Sequence, residues 1–225
     1  STLTLRKIVH EECEKSGQLL RSFNDNNQHD AAEFLSSMIE HWSKNSPRTK
    51  EALFGGLSQK TMFCLNSNCN KSQPLQMEEL SEIIPVEFTG FTLETCIEQF
   101  FSPEEIERQC EHCESKRCTQ VTTFVQEPET LIIQLNRFKY NQVDERVIKI
   151  HDSLLFPNEV TLPSGSSFKL VATVNHSGES ADTGHYTCLV VNQNSGSCFL
   201  VDDTSVFPSE TTDEDISQQV YLLFY

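Results

Sequence analysis

Two short segments place an imidazole and carboxylates where they could work together. Gly184-His185-Tyr186 follows a stretch rich in Gly, Ser and Asp and opens an apolar run; Val201-Asp202-Asp203 closes the next such run. If the two runs pair as a hairpin through residues 192–197, Asp202 returns beside His185. A carboxylate on an imidazole fixes its tautomer and raises its basicity, which supplies two thirds of a nucleophile triad. Taken alone, the pair also fits a structural hydrogen bond.

The cysteines suggest a second chemistry. Cys110 and Cys113 form a C-x2-C knuckle, and Cys64 and Cys69 form a C-x4-C pair. Zinc takes four soft or borderline ligands in a tetrahedron, and two short pairs from separate hairpins supply them. His112 and Cys118 are spare candidates. Free cysteine is also a common buried small hydrophobe, but these four sit among Asn, Lys, Glu and Ser. The total of nine cysteines is odd and the spacing suggests no disulfide framework, so the setting reads as reducing and intracellular, cytoplasmic or nuclear.

Elements must hold these groups in place. Residues 4–16 read as a helix, with Leu5, Ile8, Val9 and Cys13 on one face. Ala31, Phe34, Leu35, Met38 and Trp42 mark a second helix, with an N-cap region at Asn24 to Asn27 and a stop at Ser46-Pro47. Strands are expected at 57–64, 83–88 and 121–125, with a helix over 92–101 capped by Thr92. Ser102-Pro103-Glu104-Glu105 reads as the cap and first turn of another short helix. Beyond Pro128 the chain is strand-rich, at 131–135, 169–174, 186–192, 198–201 and 220–225. Loops fall at 163–167, 177–184 and 194–197, and the acidic stretch 208–215 reads as a mobile loop.

Composition bounds the partners. Asp plus Glu total 33 against 17 Lys plus Arg, a net charge of −16 over 225 residues. Such a chain repels nucleic acid and anionic membrane and favours a partner with a basic surface. No apolar run approaches the ~18 to 20 residues that span a bilayer. The chain starts at Ser1 rather than Met, as an incomplete stretch of a longer protein would.

Several segments together resemble the ubiquitin-specific proteases, a family of papain-like ubiquitin carboxyl-terminal hydrolases. Gln28-His29-Asp30-Ala31-Ala32-Glu33-Phe34 is similar to their Q-x-D-A-x-E-F box. Leu131 to Phe138 resembles their L-x-I-x-L-x-R-F strand, with Asn136 where lysine is common. Val174-Asn175-His176-Ser177-Gly178 and Gly184-His185-Tyr186-Thr187 resemble their histidine box. Phe199 to Asp203 resembles their F-D-D segment, and Val220 to Tyr225 their final strand.

The resemblance implies an α+β hand: a partial thumb over 1–53, zinc-ribbon fingers over 54–125 and an antiparallel palm sheet over 126–225. It implies a thiol-dependent deubiquitinase whose partners are ubiquitin and ubiquitinated proteins. His185 would be the general base, oriented by Asp202 with Asp203 beside it. Asp30 would hold the ubiquitin tail, and His176 and Tyr186 would line its channel. Zn2+ on Cys64, Cys69, Cys110 and Cys113 would tip the fingers. Asp30 and Glu33 also fit ordinary first-turn helix acids.

The family's cysteine box finds no counterpart. Cys13 lies in His-Glu-Glu-Cys-Glu-Lys, where neighbouring acids disfavour a thiolate. The expectation is that the chain as it stands is inactive. The alternative is a ubiquitin-binding scaffold without catalysis.

Overall fold

The computed structural model describes residues 23, 28–45, 54–69, 75–143, 145–180, 183–209 and 214–225. The helix expected over 4–16, Cys13 with it, lies outside these residues. Helix α1 spans Ala31–Asn45. Its cap is Asp30; the Asn24–Asn27 cluster expected to cap it lies outside the described residues. Asp30 Oδ1 accepts from the backbone N–H groups of Ala32 at 2.8 Å and Glu33 at 2.9 Å, satisfying two donors that the helix itself cannot.

A four-stranded antiparallel sheet follows, in the order β2-β1-β5-β4: β1 Gly56–Cys64, β2 Leu75–Ser81, β4 Glu104–Glu107 and β5 Arg117–Gln126. Strand β4 stands where a helical turn was expected. Ser102 is spent as the C-cap of α2 (Leu93–Phe101), its hydroxyl donating back to Glu98 O at 2.7 Å, so it cannot cap a new helix. The freed chain pairs with β5 instead, Ile106 opposite Cys118. Thr92 caps α2 as expected, its Oγ1 accepting from Thr95 N.

The larger sheet has seven strands in the order β14-β13-β12-β11-β15-β6-β3. They are β3 Ile84–Glu87, β6 Ile132–Asn136, β11 Ala172–Ser180, β12 Thr183–Val191, β13 Cys198–Asp202, β14 Ser205–Ser209 and β15 Val220–Phe224. It is antiparallel except at one edge, where β3 runs parallel to β6. Residues 84–101 thus fall inside the segment assigned to fingers, yet β3 joins this sheet and α2 packs on its core through Leu93, Cys96 and Ile97. Among the described residues, two small hairpins lie outside these sheets, β7 Phe138–Asn141 with β8 Arg146–Lys149, and β9 Glu159–Thr161 with β10 Ser167–Lys169.

Both faces of the seven-stranded sheet are covered. Leu131, Ile133, Leu135 and Leu223 face the α2 side, while Tyr221 and Leu222 pack with Ala32 of α1. That explains the unbroken apolar runs in β6 and β15, since alternation is needed only where one face meets water. The acidic loop expected at 208–215 is partly structured: Pro208 sits in edge strand β14, and α3 (Glu214–Gln219) follows, burying Ile216. An edge strand tolerates proline because it has no ladder partner on that side.

Arg137 staples the sheet's end. It is fully buried and donates to the carbonyls of Val220, Ile150, Asp152 and Ser217, at 2.6 to 2.9 Å. Its pKa falls to about 10, because burial penalises the charge more than Asp152 supports it.

Candidate active site

The β12–β13 hairpin forms as its sequence pattern suggested. Asn192 N donates to Ser197 O at 2.9 Å across the turn, and Cys188 pairs with Val201. This register brings Asp202, the last residue of β13, back to His185. Asp202 Oδ1 lies 2.6 Å from His185 Nε2, a charge-assisted length. With Nε2 engaged, Nδ1 is the ring nitrogen left to take a proton from a nucleophile. The two side chains are 49% and 43% exposed, so a reacting group can reach them. Asp203 follows in the tight turn to β14 with φ of 49°, a left-handed conformation that Asp tolerates better than most residues. Its carboxylate belongs to the same group, all three ligand atoms lying within 4.8 Å of one another.

The start of α1 meets the same strands from the other side. Tyr221 of β15 donates to Asp30 Oδ2 at 2.7 Å, and Gln134 Nε2 donates to the Tyr221 oxygen at 2.9 Å. With the two cap bonds, the Asp30 carboxylate accepts three hydrogen bonds, leaving roughly one of its four acceptor sites free. Tyr186 is partly buried, its hydroxyl 3.5 Å from Ala31 N. Burial first, and then the Asp30 charge, push its phenol up to about 12. The structure therefore brings Asp30 and Tyr186 together at the α1 terminus.

His176 departs from expectation. Expected at the lining of a tail channel, it is instead 1% exposed and buried against Tyr186. Its ring lies tilted against Tyr186, with centroids 4.7 Å apart, and meets Phe138 edge-on at 5.6 Å. Beneath it lies Lys149 of β8, also buried. The ammonium sits 3.1 Å from His176 Nδ1 and donates to the carbonyls of His176 at 2.5 Å and Gly178 at 3.1 Å. A lysine ammonium has only donors, so Nδ1 must be the accepting nitrogen of a neutral ring. Burial, and then the neighbouring Lys149 charge, lower the pKa of His176.

Sequence reasoning gave no role to Lys149, Tyr221 or the Gln28 side chain. Lys149 offered no local signal, because simple alternation would turn Ile148 and Ile150 inward in its place. The contacts of Gln28 and Tyr221 span 156 and 191 residues, beyond any local pattern.

At the far end of the four-stranded sheet, Cys64, Cys69, Cys110 and Cys113 converge. Their sulfurs all lie within 4.8 Å of one another, with Cys64 to Cys113 at 3.5 Å and Cys69 to Cys110 at 3.8 Å. All four are free, the separations being far beyond a disulfide bond. A tetrahedral ion with metal–sulfur bonds of ≈2.3 Å sets its sulfurs about 3.8 Å apart, so the cluster fits a thiolate-bound metal. The Ser115 backbone N–H and then the neighbouring side chains Cys64, Cys69 and Asn66 draw the Cys113 thiol down to about 7, despite some opposing desolvation. Of the spare candidates, His112 is outside the cluster, and Cys118 is buried with its thiol toward Arg108 O at 3.3 Å.

The remaining described cysteines are poor nucleophiles. Cys96 and Cys198 are buried, and burial pushes up the thiol of Cys188. None joins His185, Asp202 and Asp203 in their group.

Between the two sheets lies a cleft of about 700 Å3, lined by Lys60, Glu79, Glu82, Glu87, Glu104 and Asn136 among others. Among the described residues, no helix is long and apolar enough to cross a membrane.

Comparison with known proteins supplies the remaining findings. The family profile described as ubiquitin carboxyl-terminal hydrolase matches residues 11–225. The probable ubiquitin carboxyl-terminal hydrolase 8 of Schizosaccharomyces pombe is 30% identical over 178 residues, covering 77% of this chain and 38% of that protein. Ubiquitin carboxyl-terminal hydrolase 25 of Arabidopsis thaliana is 26% identical over 225 residues, covering 88% of this chain and 33% of that protein. The chain thus spans well under half the length of these relatives. Among solved structures, the SAGA Ubp8/Sgf11/Sus1/Sgf73 DUB module bound to ubiquitin aldehyde superposes with a TM-score of 0.73 at 19% identity, over 92% of this chain and 52% of that one. A second structure of that module, bound to monoubiquitin, gives a TM-score of 0.75 at 20% identity, over 95% and 51%. These structural likenesses establish a shared fold.

Proposed function

The chain belongs to the ubiquitin carboxyl-terminal hydrolase family, and from that premise we propose that its protein is a thiol-dependent deubiquitinase. It hydrolyses the peptide or isopeptide bond after the C-terminal glycine of ubiquitin. The observation that carries this reading is the His185 Nε2 to Asp202 Oδ1 contact of 2.6 Å. Asp202 holds the imidazole so that Nδ1 takes the proton of an attacking thiol. The thiolate adds to the glycine carbonyl carbon, and the imidazolium returns the proton to the leaving amine. Water then hydrolyses the thioester, with His185 again as base.

The other sites take supporting roles. Asp30, with acceptor capacity left after its three bonds, pairs with an arginine of the ubiquitin tail, and Tyr186 lines the path of that tail. The acid-lined cleft suits the basic face of a folded partner. The four cysteines hold a structural Zn2+ at the tip of the four-stranded sheet, which serves as fingers beside a seven-stranded palm. Thiolate donors in a closed tetrahedral set favour zinc over harder cations.

We further infer that none of the nine cysteines of this chain is the nucleophile. Four belong to the metal cluster, four of the rest are buried or raised by burial, and Cys13 is flanked by acids. That same fact favours a second reading, a ubiquitin-binding protein without catalysis. One experiment separates the two. The full-length protein is treated with ubiquitin carrying a C-terminal electrophile, and the adduct is mapped by peptide mass spectrometry. A single adduct on a cysteine outside these nine is expected. No adduct, with ubiquitin still bound, supports the scaffold; an adduct on one of the nine overturns the nucleophile assignment.

A further inference from the structure

We propose that Gln28 is a positioning residue for proton transfer, acting by clamping the peptide unit that carries His185; the inference rests on the deubiquitinase reading. The Gln28 side-chain amide makes a reciprocal pair with one backbone residue. Nε2 donates to Gly184 O at 2.7 Å, and Oε1 accepts from Gly184 N at 2.8 Å.

The topology explains why such a pair is needed. Along one edge, β12 pairs with β11, His185 opposite Ser177 and Thr183 opposite Ser180. Along its other edge, pairing with β13 begins only at Cys188. A strand residue points its N–H and C=O to the same edge, and successive residues alternate. Gly184 therefore presents both groups to the edge that, among the described residues, has no strand beside it. The Gln28 amide fills that place like one residue of a missing strand.

Gly184 is held from a second direction. A Cβ there would lie 2.4 Å from His176 Nε2 and 2.5 Å from Ser177 O, so the backbone rests directly on the buried His176 ring. The ring fixes the height of the peptide, and Gln28 fixes its lateral position. His185 is the next residue, and a displaced backbone there would swing Nδ1 away from the thiol while leaving the fold intact. Gln28 itself is exposed, and its backbone leads directly into the Asp30 cap, so the clamp also ties α1 to β12.

The test compares wild type with Gln28→Met, which keeps side-chain length and removes both hydrogen bonds. Amide hydrogen exchange is followed at Gly184, with Leu189 and Leu222 as reporters of the intact sheet. Steady-state kinetics are measured on the full-length protein with a ubiquitin C-terminal fluorogenic amide. Expected are faster exchange at Gly184, unchanged exchange at the reporters, and a kcat lowered about tenfold or more with KM within about twofold. Unchanged protection at Gly184, or lost protection with full kcat, would overturn the inference. So would a loss confined to KM, which would mark Gln28 as a binding residue. A wild type that shows Gln28-dependent protection but no hydrolysis would overturn the deubiquitinase reading instead, leaving the clamp as a structural contact.

Discussion

At the residue scale, the chemistry rests on one imidazole and the groups that hold it. His185 and Asp202 were legible in the sequence because a hairpin brings the ends of two strands together by simple counting. Asp203 lies in the same group, so Asp202→Ala should lower kcat on ubiquitin substrates by on the order of a hundredfold, less than loss of the base itself. The double variant at Asp202 and Asp203 should approach the loss caused by His185→Ala. Equal rates for the single and double variants would remove Asp203 from the site. Lys149 was not legible, since nothing local says that this lysine of β8 turns inward. Its ammonium holds two carbonyls, and Lys149→Met would leave them unsatisfied at a loss of about 2 kcal/mol at pH 7. The variant also has a pH signature. His176 has its folded pKa held below its ordinary 6.5, so the unfolded chain binds a proton that the folded one refuses, and stability falls as pH drops below 6.5. Burial is the larger cause and Lys149 the second; Asp30 and the Thr183 carbonyl act in the opposite sense. Removing the Lys149 charge should therefore shrink the acid-side loss. Denaturant unfolding at pH 7 and 5.5 measures both effects, and parallel pH curves for the two proteins would dismiss the coupling.

At the element scale, helices α1 and α2 and strands β1, β6, β13 and β15 followed from periodicity, whereas β2 was not expected and β11 and β12 run through most of the loop expected at 177–184, where Ser177 and Ser180 pair in the ladder. The Ser-Pro-Glu-Glu sequence at residues 102–105 carries every helix-start signal, but its serine closes the preceding helix and the exposed edge of β5 takes the rest. A tertiary partner overrode a local preference. The cap of α1 moved from an Asn-rich stretch to Asp30 because Tyr221 holds the other carboxylate oxygen in place. The two cysteine pairs were legible as pairs, and the β1–β5 ladder, with Cys64 opposite Cys118, brings them into one group. The strand ends that carry them bury little apolar surface, with Phe63 and Leu65 exposed, so the metal should contribute much of the local stability. Purified protein should contain about one zinc per chain, and stripping it with a strong chelator should release the exchange protection of residues 60–64 and 117–120 first. Absence of zinc, together with unfolding indifferent to chelator, would refute the site.

At the scale of the whole molecule, an acid-lined cleft lies between two sheets, one carrying the four-cysteine cluster and the other the imidazole–carboxylate pair. The family resemblance anticipated two such units, but it put residues 84–101 with the smaller one, whereas β3 pairs with β6 and α2 packs on the core of the larger sheet. The net charge of −16 fits a protein whose partner presents a basic face. The most direct measurement is hydrolysis of a ubiquitin C-terminal fluorogenic amide by the full-length protein, wild type against His185→Ala, with ubiquitin affinity measured alongside. Expected is turnover by the wild type, a loss in His185→Ala of at least about a thousandfold in kcat, and ubiquitin binding within about twofold between the two. Turnover that survives the loss of His185 would contradict the assignment of the base, and a wild type that binds ubiquitin without hydrolysing it would contradict the enzyme.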